Sequence, residues 1–252
     1  MNPFSVHPVP GVPMIRPGDD LGSILADAIA KAQLGPLDGD ILVVCQKIVS
    51  KAEGRVVDLK TVTASPFAKQ LAAMTTDKDP RVIEVILGET NRIVKMDRGH
   101  LIVETGPGYV CANAGVDESN SLDDDTVILL PRDADASARG LVDAMRARTQ
   151  REVAVIVTDT FGRPWRDGLV DFALGVAGME PLLDLRGERD LTGRELHHTV
   201  NAQADALAAA AGLVMRKGEG IPAAIVRGYA YQRGDGAGGA KLIRPREFDM
   251  FR

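Results

Sequence analysis

Two segments in which an apolar run stops at an aspartate carry the residue types with the clearest chemistry in this chain. The first reads Val110-Cys-Ala-Asn-Ala-Gly-Val-Asp-Glu-Ser-Asn120, and the second reads Val153-Ala-Val-Ile-Val-Thr-Asp-Thr160. In each, an apolar run that predicts a buried strand stops at an aspartate, Asp117 or Asp159, followed by small polar residues. Hard cations such as Mg²⁺ and Mn²⁺ prefer oxygen ligands, so the pair predicts a divalent metal site. Such a metal is typical of phosphate chemistry, although solvated turns would carry the same residues.

Lysines and a glycine-rich connection supply candidate phosphate-binding groups. Lys47 and Lys51 flank the end of the predicted strand Ile41–Val49, where they would either neutralise phosphates or face solvent. The segment Met215–Pro222, with two cations, a carboxylate and two glycines, joins a predicted helix to the last predicted strand. Its backbone N–H groups could wrap a triphosphate, and a plain helix-to-strand turn would have the same composition.

Composition excludes several classes of protein. The 252 residues are 45% hydrophobic, enough for one large domain or two small ones, and the net charge of −5 argues against nonspecific nucleic-acid binding. No apolar run approaches the ~20 residues of a membrane helix, and no signal peptide is visible. Cys45 and Cys111 lie in apolar, strand-like runs, as expected of reduced, buried thiols. We therefore expect a cytoplasmic protein without a nucleic-acid or membrane partner.

The order of predicted elements indicates the fold class. Apolar periodicity predicts helices over residues 21–32, 66–74, 80–87, 136–148 and 192–215. The last helix would begin at the capping box Thr192-Gly-Arg-Glu195. Continuous apolar runs predict strands over residues 41–49, 153–157 and 223–228, with shorter strands between residues 93 and 112. Because strands and helices do not alternate as in repeated βαβ units, we expect an α+β fold rather than a Rossmann-like one.

Several segments together match one known family over nearly the whole chain. The chain resembles the coenzyme F420-0:γ-glutamyl ligases (coenzyme F420:L-glutamate ligase), and several blocks in order are more specific than any one alone. The matching segments are Pro8–Ile15, Gly18–Leu21, Asp40–Arg55, Asn113–Asn120, Thr158–Arg163, Asp190–Leu196 and Gly220–Gly228. The tail Leu242–Arg252 looks like the bacterial branch of the family.

The resemblance implies a GTP-dependent ligase. It would join L-glutamate to the deazaflavin precursor through an acyl phosphate and then add further γ-linked glutamates. The implied fold is a two-domain α+β structure with antiparallel-rich sheets that forms an intertwined homodimer. Residues 1–90 and 190–252 would form a discontinuous nucleotide-binding domain, and residues 91–189 a central metal and substrate domain. One or two Mg²⁺ or Mn²⁺ ions are expected, and K⁺ is a further expected ion.

The resemblance also assigns residues by position. Asp117, Asp159 and Thr160 fall on the family's divalent-metal ligands. The implied nucleotide contacts are Val12, Pro13, Met14, Ile15, Gln46, Lys47, Lys51, Asn120, Met215, Arg216, Lys217, Gly218, Glu219, Gly220 and Ile221. No residue is assigned as the base that deprotonates the amine.

One position departs from the family pattern. Some relatives place Glu or Gln, a ligand of a second metal, where this chain has Lys217. Either Glu219 takes that role after a small shift of the loop, or the second metal is held differently.

Two alternative functions also remain. One is a metal–nucleotide ligase with another acid acceptor or amino acid, and the other is a non-enzymatic nucleotide-binding subunit.

Overall fold

The structure is a computed structural model that describes residues 3–74, 78–97, 99–119, 125–234 and 238–250. Within these residues the strands are, in chain order, β1 Ser5–Pro8, β2 Ile41–Cys45, β3 Val56–Asp58, β4 Thr90–Asp97, β5 His100–Thr105, β6 Val110–Ala112, β7 Thr126–Ile128, β8 Ala154–Arg163, β9 Arg166–Ala177, β10 Leu183–Asp184, β11 Val200–Asn201 and β12 Ala223–Arg227. The α-helices are α1 Leu21–Lys31, α2 Gln46–Ala52, α3 Pro66–Ala73, α4 Pro80–Gly88, α5 Ala134–Thr149 and α6 Gln203–Gly212.

The main sheet is buried on both faces. Among the described strands, five form it in the order β1-β12-β2-β8-β9, with β2 and β8 parallel and the other neighbours antiparallel. Alternate side chains of β2 point to opposite faces, so Leu42 and Val44 join the core with α1 and α5. Ile41 and Val43 instead join the core with α6. This double burial explains why β2 reads as a continuous apolar run.

A separate apolar cluster lies under the segment that carries Asp117. Helices α3 and α4 pack there against the sheet β4-β5-β6, through residues such as Leu71, Ile83 and Leu101. The predicted division into residues 1–90 with 190–252 and residues 91–189 stays a prediction. Strands β8 and β9, which come from the central range, pair with the rest of the main sheet.

Four of the predicted helices are confirmed to within two residues at each end. α1, α3, α4 and α5 each begin after a residue whose side chain accepts a hydrogen bond from the first turn, namely Asp20, Ser65, Asp79 and Asp133. Such caps satisfy backbone N–H groups that a helix leaves unpaired. The periodicity of the apolar residues and the capping side chains together therefore determine the ends of these helices.

Two predicted elements are wrong. The strand predicted over 41–49 ends at Cys45, and α2 follows at once, which places Lys47 and Lys51 on one helical face. The helix predicted from Thr192 to Met215 is shorter in the structure, where α6 spans only Gln203–Gly212. The apparent capping box is a turn, because the Asp190 carboxylate accepts hydrogen bonds from the backbone N–H groups of Thr192 and Arg194.

The fold class is confirmed as α+β with mostly antiparallel strand pairs. The two-domain arrangement and the intertwined homodimer stay predictions. No helix in the described residues is long and apolar enough to cross a bilayer.

Candidate active site

A cleft of about 890 Å³, open mouth included, is bounded by four separate parts of the chain. These are the segment before α1, the start of α2, the paired strands β8 and β9, and the loop before β12. Its volume is within the ~300–1,000 Å³ of small-molecule sites. The lining residues are Val12, Pro13, Met14, Ile15, Cys45, Lys47, Ile48, Lys51, Thr158, Thr160, Asp171, Met215, Gly220, Ile221 and Pro222.

Most of the predicted nucleotide contacts meet in this cleft. Val12–Ile15 form one side, Lys47 and Lys51 reach it from α2, and Gly220 and Ile221 close it from the loop before β12. Thr160, predicted as a metal ligand, lines the same space. The structure therefore brings together residues that are far apart in the sequence.

Lys51 places a buried cation in the cleft. The residue is only 4% exposed. Its Nζ donates a hydrogen bond to the Sδ of Met14, at a distance of 3.4 Å. Within the described residues, no carboxylate pairs with this ammonium. Burial, and then the nearby charge of Lys47, lower the pKa of Lys51. An ammonium with so little compensation is a site for an anionic ligand.

Lys47, one helical turn earlier, is fully engaged by oxygen atoms. Its Nζ lies 2.6 Å from Oδ2 of Asp117, 2.6 Å from Oγ of Ser119 and 3.2 Å from the Ser119 carbonyl oxygen. These contacts use all three donors of the ammonium. Burial acts to raise the pKa of Asp117, but hydrogen bonds from Lys47 and Ser119 outweigh it and hold that pKa below its usual value.

A left-handed turn positions Asp117. Asn113, Ala114 and Gly115 have φ values of 54°, 55° and 69°, and left-handed residues other than glycine store strain. The Nζ of Lys78 donates to Oδ1 of Asn113 at 2.7 Å and fixes the start of the turn. The backbone N–H and C=O groups of Asp117 then pair with those of Ile128. This pairing fixes the position of the Asp117 carboxylate.

Asp159 and Thr160 lie on opposite faces of β8. Successive side chains of a strand alternate, so the cleft receives Thr158 and Thr160 and not Asp159. Burial is the main cause that raises the pKa of Cys111 to about 12, and the charge of Asp159 adds to it. Asp159 also acts on Cys45, next to Lys47 in the chain. The predicted strand end is therefore wrong, because β8 continues through both residues to Arg163.

The oxygen atoms around Lys47 have the chemistry of a hard-cation site. A carboxylate, a hydroxyl and a carbonyl from Asp117 and Ser119 already surround a positive charge, and such donors suit Mg²⁺ or Mn²⁺. No group of three or more Asp, Glu, His or Cys side chains converges anywhere in the described part of the chain. The donor types therefore fit a divalent ion, with an incomplete set of side-chain ligands.

Other predicted residues lie outside the cleft. Gln46 is fully buried, its Oε1 accepts from Ser50, and within the described residues its Nε2 has no partner. Arg216 and Glu219 pair with each other at 3.0 Å on the surface, so Glu219 faces an arginine here. Lys217 and Gly218 belong to a 3₁₀ turn, Lys217–Glu219. Asn120 lies outside the described residues.

Sequence reasoning missed Asp171. This residue lies on β9 directly opposite Thr160, and both side chains line the cleft. Gly168, just before the segment Leu169–Val176, and Gly175 within it hid its strand character. The signal available was a single carboxylate, Asp171, in the otherwise apolar segment Leu169–Val176.

The fold and the cleft define an α+β protein with a cation-lined site for a small anionic ligand. The family model of the F420-0:gamma-glutamyl ligases matches residues 11–228. The chain is 48% identical to the coenzyme F420:L-glutamate ligase of Methanothermobacter thermautotrophicus, over 99% of each chain. It is 47% identical to the coenzyme F420:L-glutamate ligase of Methanopyrus kandleri, over 98% of this chain and 97% of that one. The chain therefore belongs to the F420-0:gamma-glutamyl ligase family and is a ligase.

Proposed function

We propose that this enzyme joins L-glutamate to the deazaflavin coenzyme F420-0 through an amide bond, driven by GTP, and then adds further γ-linked glutamates. The names of the similar ligases support the acceptor and the amino acid. The observation that carries the nucleotide is Lys51, a buried ammonium directed at a cleft without a carboxylate partner in the described residues. The choice of guanine rests on the family resemblance.

The first step is activation of a carboxylate. A terminal carboxylate oxygen of F420-0 attacks the γ-phosphorus of GTP, an acyl phosphate forms and GDP leaves. The reactants are both anions, so fixed positive charge in the cleft must offset their repulsion. Lys51 is available for this role, whereas Lys47 has to exchange an oxygen of Asp117 or Ser119 for a phosphate oxygen.

We also propose that the enzyme binds a divalent metal ion. The oxygens of Asp117 and Ser119 would hold Mg²⁺ or Mn²⁺, which would supply charge neutralisation for the phosphate oxygens. Asp159 and Thr160 are the other expected ligands, and Glu219 is the expected ligand of a second ion if one binds. A requirement for K⁺ is also expected from the resemblance.

The second step forms the amide. The amino group of glutamate attacks the acyl carbon, and phosphate leaves. Holding the acyl phosphate and the amine in one cleft supplies much of the rate, because it turns an encounter between two solutes into a step within one complex.

We also propose that the enzyme is a homodimer. The pair β10–β11 forms its own small sheet, and Leu191 between these strands is fully exposed. Trp165 and Leu169, in the β8–β9 hairpin, are 83% and 66% exposed. Large apolar side chains at two projecting parts of one chain favour burial against a second copy. Light scattering should give twice the chain mass, and a monomer at micromolar concentration would contradict this.

The test of the function is GDP release with each substrate omitted in turn. The purified enzyme is incubated with GTP, Mg²⁺ or Mn²⁺, F420-0 and glutamate, and products are identified by mass. Release that requires both F420-0 and glutamate, with a product heavier by one or more glutamyl units, is the expected result. Nucleotide binding without turnover would instead indicate a binding subunit, and turnover only with another acid or amino acid would indicate a different ligase.

A further inference from the structure

Met14 brings an oxidisable sulfur atom into contact with the buried cation of the cleft. The residue is 62% exposed, and its Sδ accepts a hydrogen bond from the Nζ of Lys51 at 3.4 Å. We infer that Met14 is an oxidation site that controls nucleotide binding. Hydrogen peroxide converts its thioether to a sulfoxide, whose oxygen then binds the ammonium of Lys51 in place of a phosphate oxygen. The inference rests on the proposed function for the identity of the ligand, and it adds regulation to that site.

The backbone around Met14 is fixed against α2 and the core. The next residue, Ile15, is fully buried in the core that includes α1. Further along, the N–H of Gly18 donates to the carbonyl oxygen of Ala52 at 2.9 Å, directly after Lys51 in the chain. The fold therefore keeps the sulfur of Met14 beside Lys51 while most of the residue stays accessible to small solutes.

The acceptor strength of the Met14 side chain decides how readily Lys51 takes a new partner. Thioether sulfur is a weak acceptor, so little hydrogen-bond energy is lost when the ammonium exchanges it for a phosphate oxygen. Oxidation makes the same side chain polar, and its new oxygen carries a partial negative charge. A hydrogen bond from an ammonium to such an oxygen is strong, because the donor is charged. A phosphate must then displace a tethered, strong acceptor instead of a weak one.

Among the described methionines, Met14 combines exposure with a place in the cleft. Met215 also lines the cleft but is only 9% exposed. Met74, Met96 and Met250 are exposed, and none of them is among the described residues that line the cleft. Oxidation of those three methionines therefore leaves the contacts of the buried ammonium unchanged.

The oxidation step balances with hydrogen peroxide as the oxidant. A lone pair of the Met14 sulfur attacks one peroxide oxygen, the S–O bond forms, and the O–O bond breaks with its electron pair leaving on the second oxygen. That oxygen leaves as hydroxide and takes the proton from the oxygen bound to sulfur, so the products are the sulfoxide and water. Sulfur loses two electrons, peroxide gains them, and Lys51 keeps its protons. Methionine sulfoxide reductases reverse the oxidation, so the modification can act as a switch.

The experiment compares GTP binding before and after oxidation of one enzyme preparation. The nucleotide-free enzyme is treated with hydrogen peroxide, peptide mass measures the oxygen added to Met14, and calorimetric titration with GTP and Mg²⁺ measures the affinity. We expect GTP to bind at least about 10-fold more weakly after oxidation, because a hydrogen bond from a charged donor must be broken first. Treatment with methionine sulfoxide reductases should restore the affinity. Unchanged affinity with Met14 fully oxidised would overturn the inference, and so would an intact Met14 under conditions that oxidise Met74.

Three variants separate this contact from general oxidative damage. Met14→Leu keeps an apolar side chain without sulfur, so peroxide should leave its own untreated affinity unchanged. Met74→Leu, changed at an exposed position, should lose affinity on oxidation as the wild type does. In Lys51→Leu, oxidation of Met14 should cause little further loss, because the ammonium that binds the sulfoxide is absent. A peroxide-induced loss of wild-type size in Met14→Leu or Lys51→Leu would contradict the inference.

Thermal unfolding without nucleotide tests the same contact independently of GTP. The sulfoxide oxygen compensates a buried ammonium, so oxidation should raise the unfolding midpoint of the wild type relative to that of Met14→Leu treated in the same way. An equal change in both proteins would overturn the inference as well. Failure of the untreated enzyme to bind GTP would instead refute the proposed nucleotide, and the difference in midpoints would still decide whether the sulfoxide binds Lys51.

Discussion

Replacing Lys51 with methionine should stabilise the protein and weaken nucleotide binding at the same time. Methionine keeps the length of the side chain next to Met14 and removes a charge that is 4% exposed and without a carboxylate partner in the described residues. Relief of that buried charge should raise the free energy of unfolding by about 1–2 kcal/mol. For a chain of this size, the midpoint of thermal unfolding should rise by roughly 2–8 °C.

The same substitution should lower the affinity for GTP. A hydrogen bond between an ammonium and a phosphate oxygen contributes about 1.5–3 kcal/mol. Its loss in Lys51→Met should therefore weaken GTP binding by roughly 10- to 150-fold. Calorimetric titration with GTP measures the affinity, and thermal denaturation without nucleotide measures the stability.

The variant Lys47→Met is the matched comparison on the same helical face. It leaves the partly buried carboxylate of Asp117 without its ammonium, so we expect a loss of about 1–3 kcal/mol in unfolding free energy. The two variants should thus move the unfolding midpoint in opposite directions while both weaken GTP binding. Lys95→Met, at an exposed position, should change neither quantity.

The pH dependence gives a further check on Lys51. Because its pKa is lowered in the folded state, the destabilisation is fully present below that folded pKa. It is relieved as pH rises towards the ordinary value of 10.5, since the folded protein releases its proton before the unfolded chain does. The stability difference between wild type and Lys51→Met should therefore shrink in that window. Destabilisation of Lys51→Met at pH 7 would refute the reasoning, since it would require a compensating anion beside the ammonium.

Three other properties can be measured directly. Asp117→Asn should lower the urea-unfolding free energy by about 1 kcal/mol at pH 7, and, because the folded pKa of Asp117 lies below 3.8, the difference should disappear as pH falls through that folded pKa. Native Cys45 should react slowly with an aromatic disulfide at pH 7.5, because its pKa is about 11, and rapid stoichiometric labelling would contradict a protonated thiol. Gly175→Ala should lose about 3 kcal/mol or more, since its Cβ would lie 2.0 Å from the Ala134 carbonyl oxygen, whereas Gly140→Ala, in open space on α5, should be neutral or stabilising in the same denaturation assay.

Local signals account for the parts of the fold that the sequence predicts. The strands β2, β8 and β12 are apolar because the main sheet is covered on both faces, and α1 and α5 combine an apolar stripe with an aspartate cap. These features depend on residues within one element, so they can be recognised without knowledge of the rest of the chain.

The errors arise where a local signal has two interpretations. Ile48 and Val49 extend the apolar run of β2, but Gln46, Lys47, Ser50 and Lys51 recur at helical spacing, and packing against the rest of the chain selects the helix. Thr192 to Glu195 has the letters of a capping box, yet the carboxylate of Asp190 draws the same backbone into a turn.

The site was only partly predictable because a strand pair divides its residues between two faces. Asp159 and Thr160 are neighbours in the sequence, and β8 runs through both, so their side chains leave opposite faces of the strand. Their assignment as ligands of one metal stays a prediction. Asp171 came from a segment with no chemical motif, and its place opposite Thr160 follows from the register of β8 and β9. Register over a hairpin is a long-range property that residue types alone do not specify.

Lys51 shows why uncompensated charge identifies this site better than a motif does. Its side chain lines the cleft and the residue is 4% exposed, and in the described residues no carboxylate pairs with its ammonium. Helix α2 carries the lysine and fixes it there. The fold thus holds a buried cation at a cost in stability, as expected when that cation is kept for a ligand. A ligase that brings a phosphate into this cleft needs such a cation.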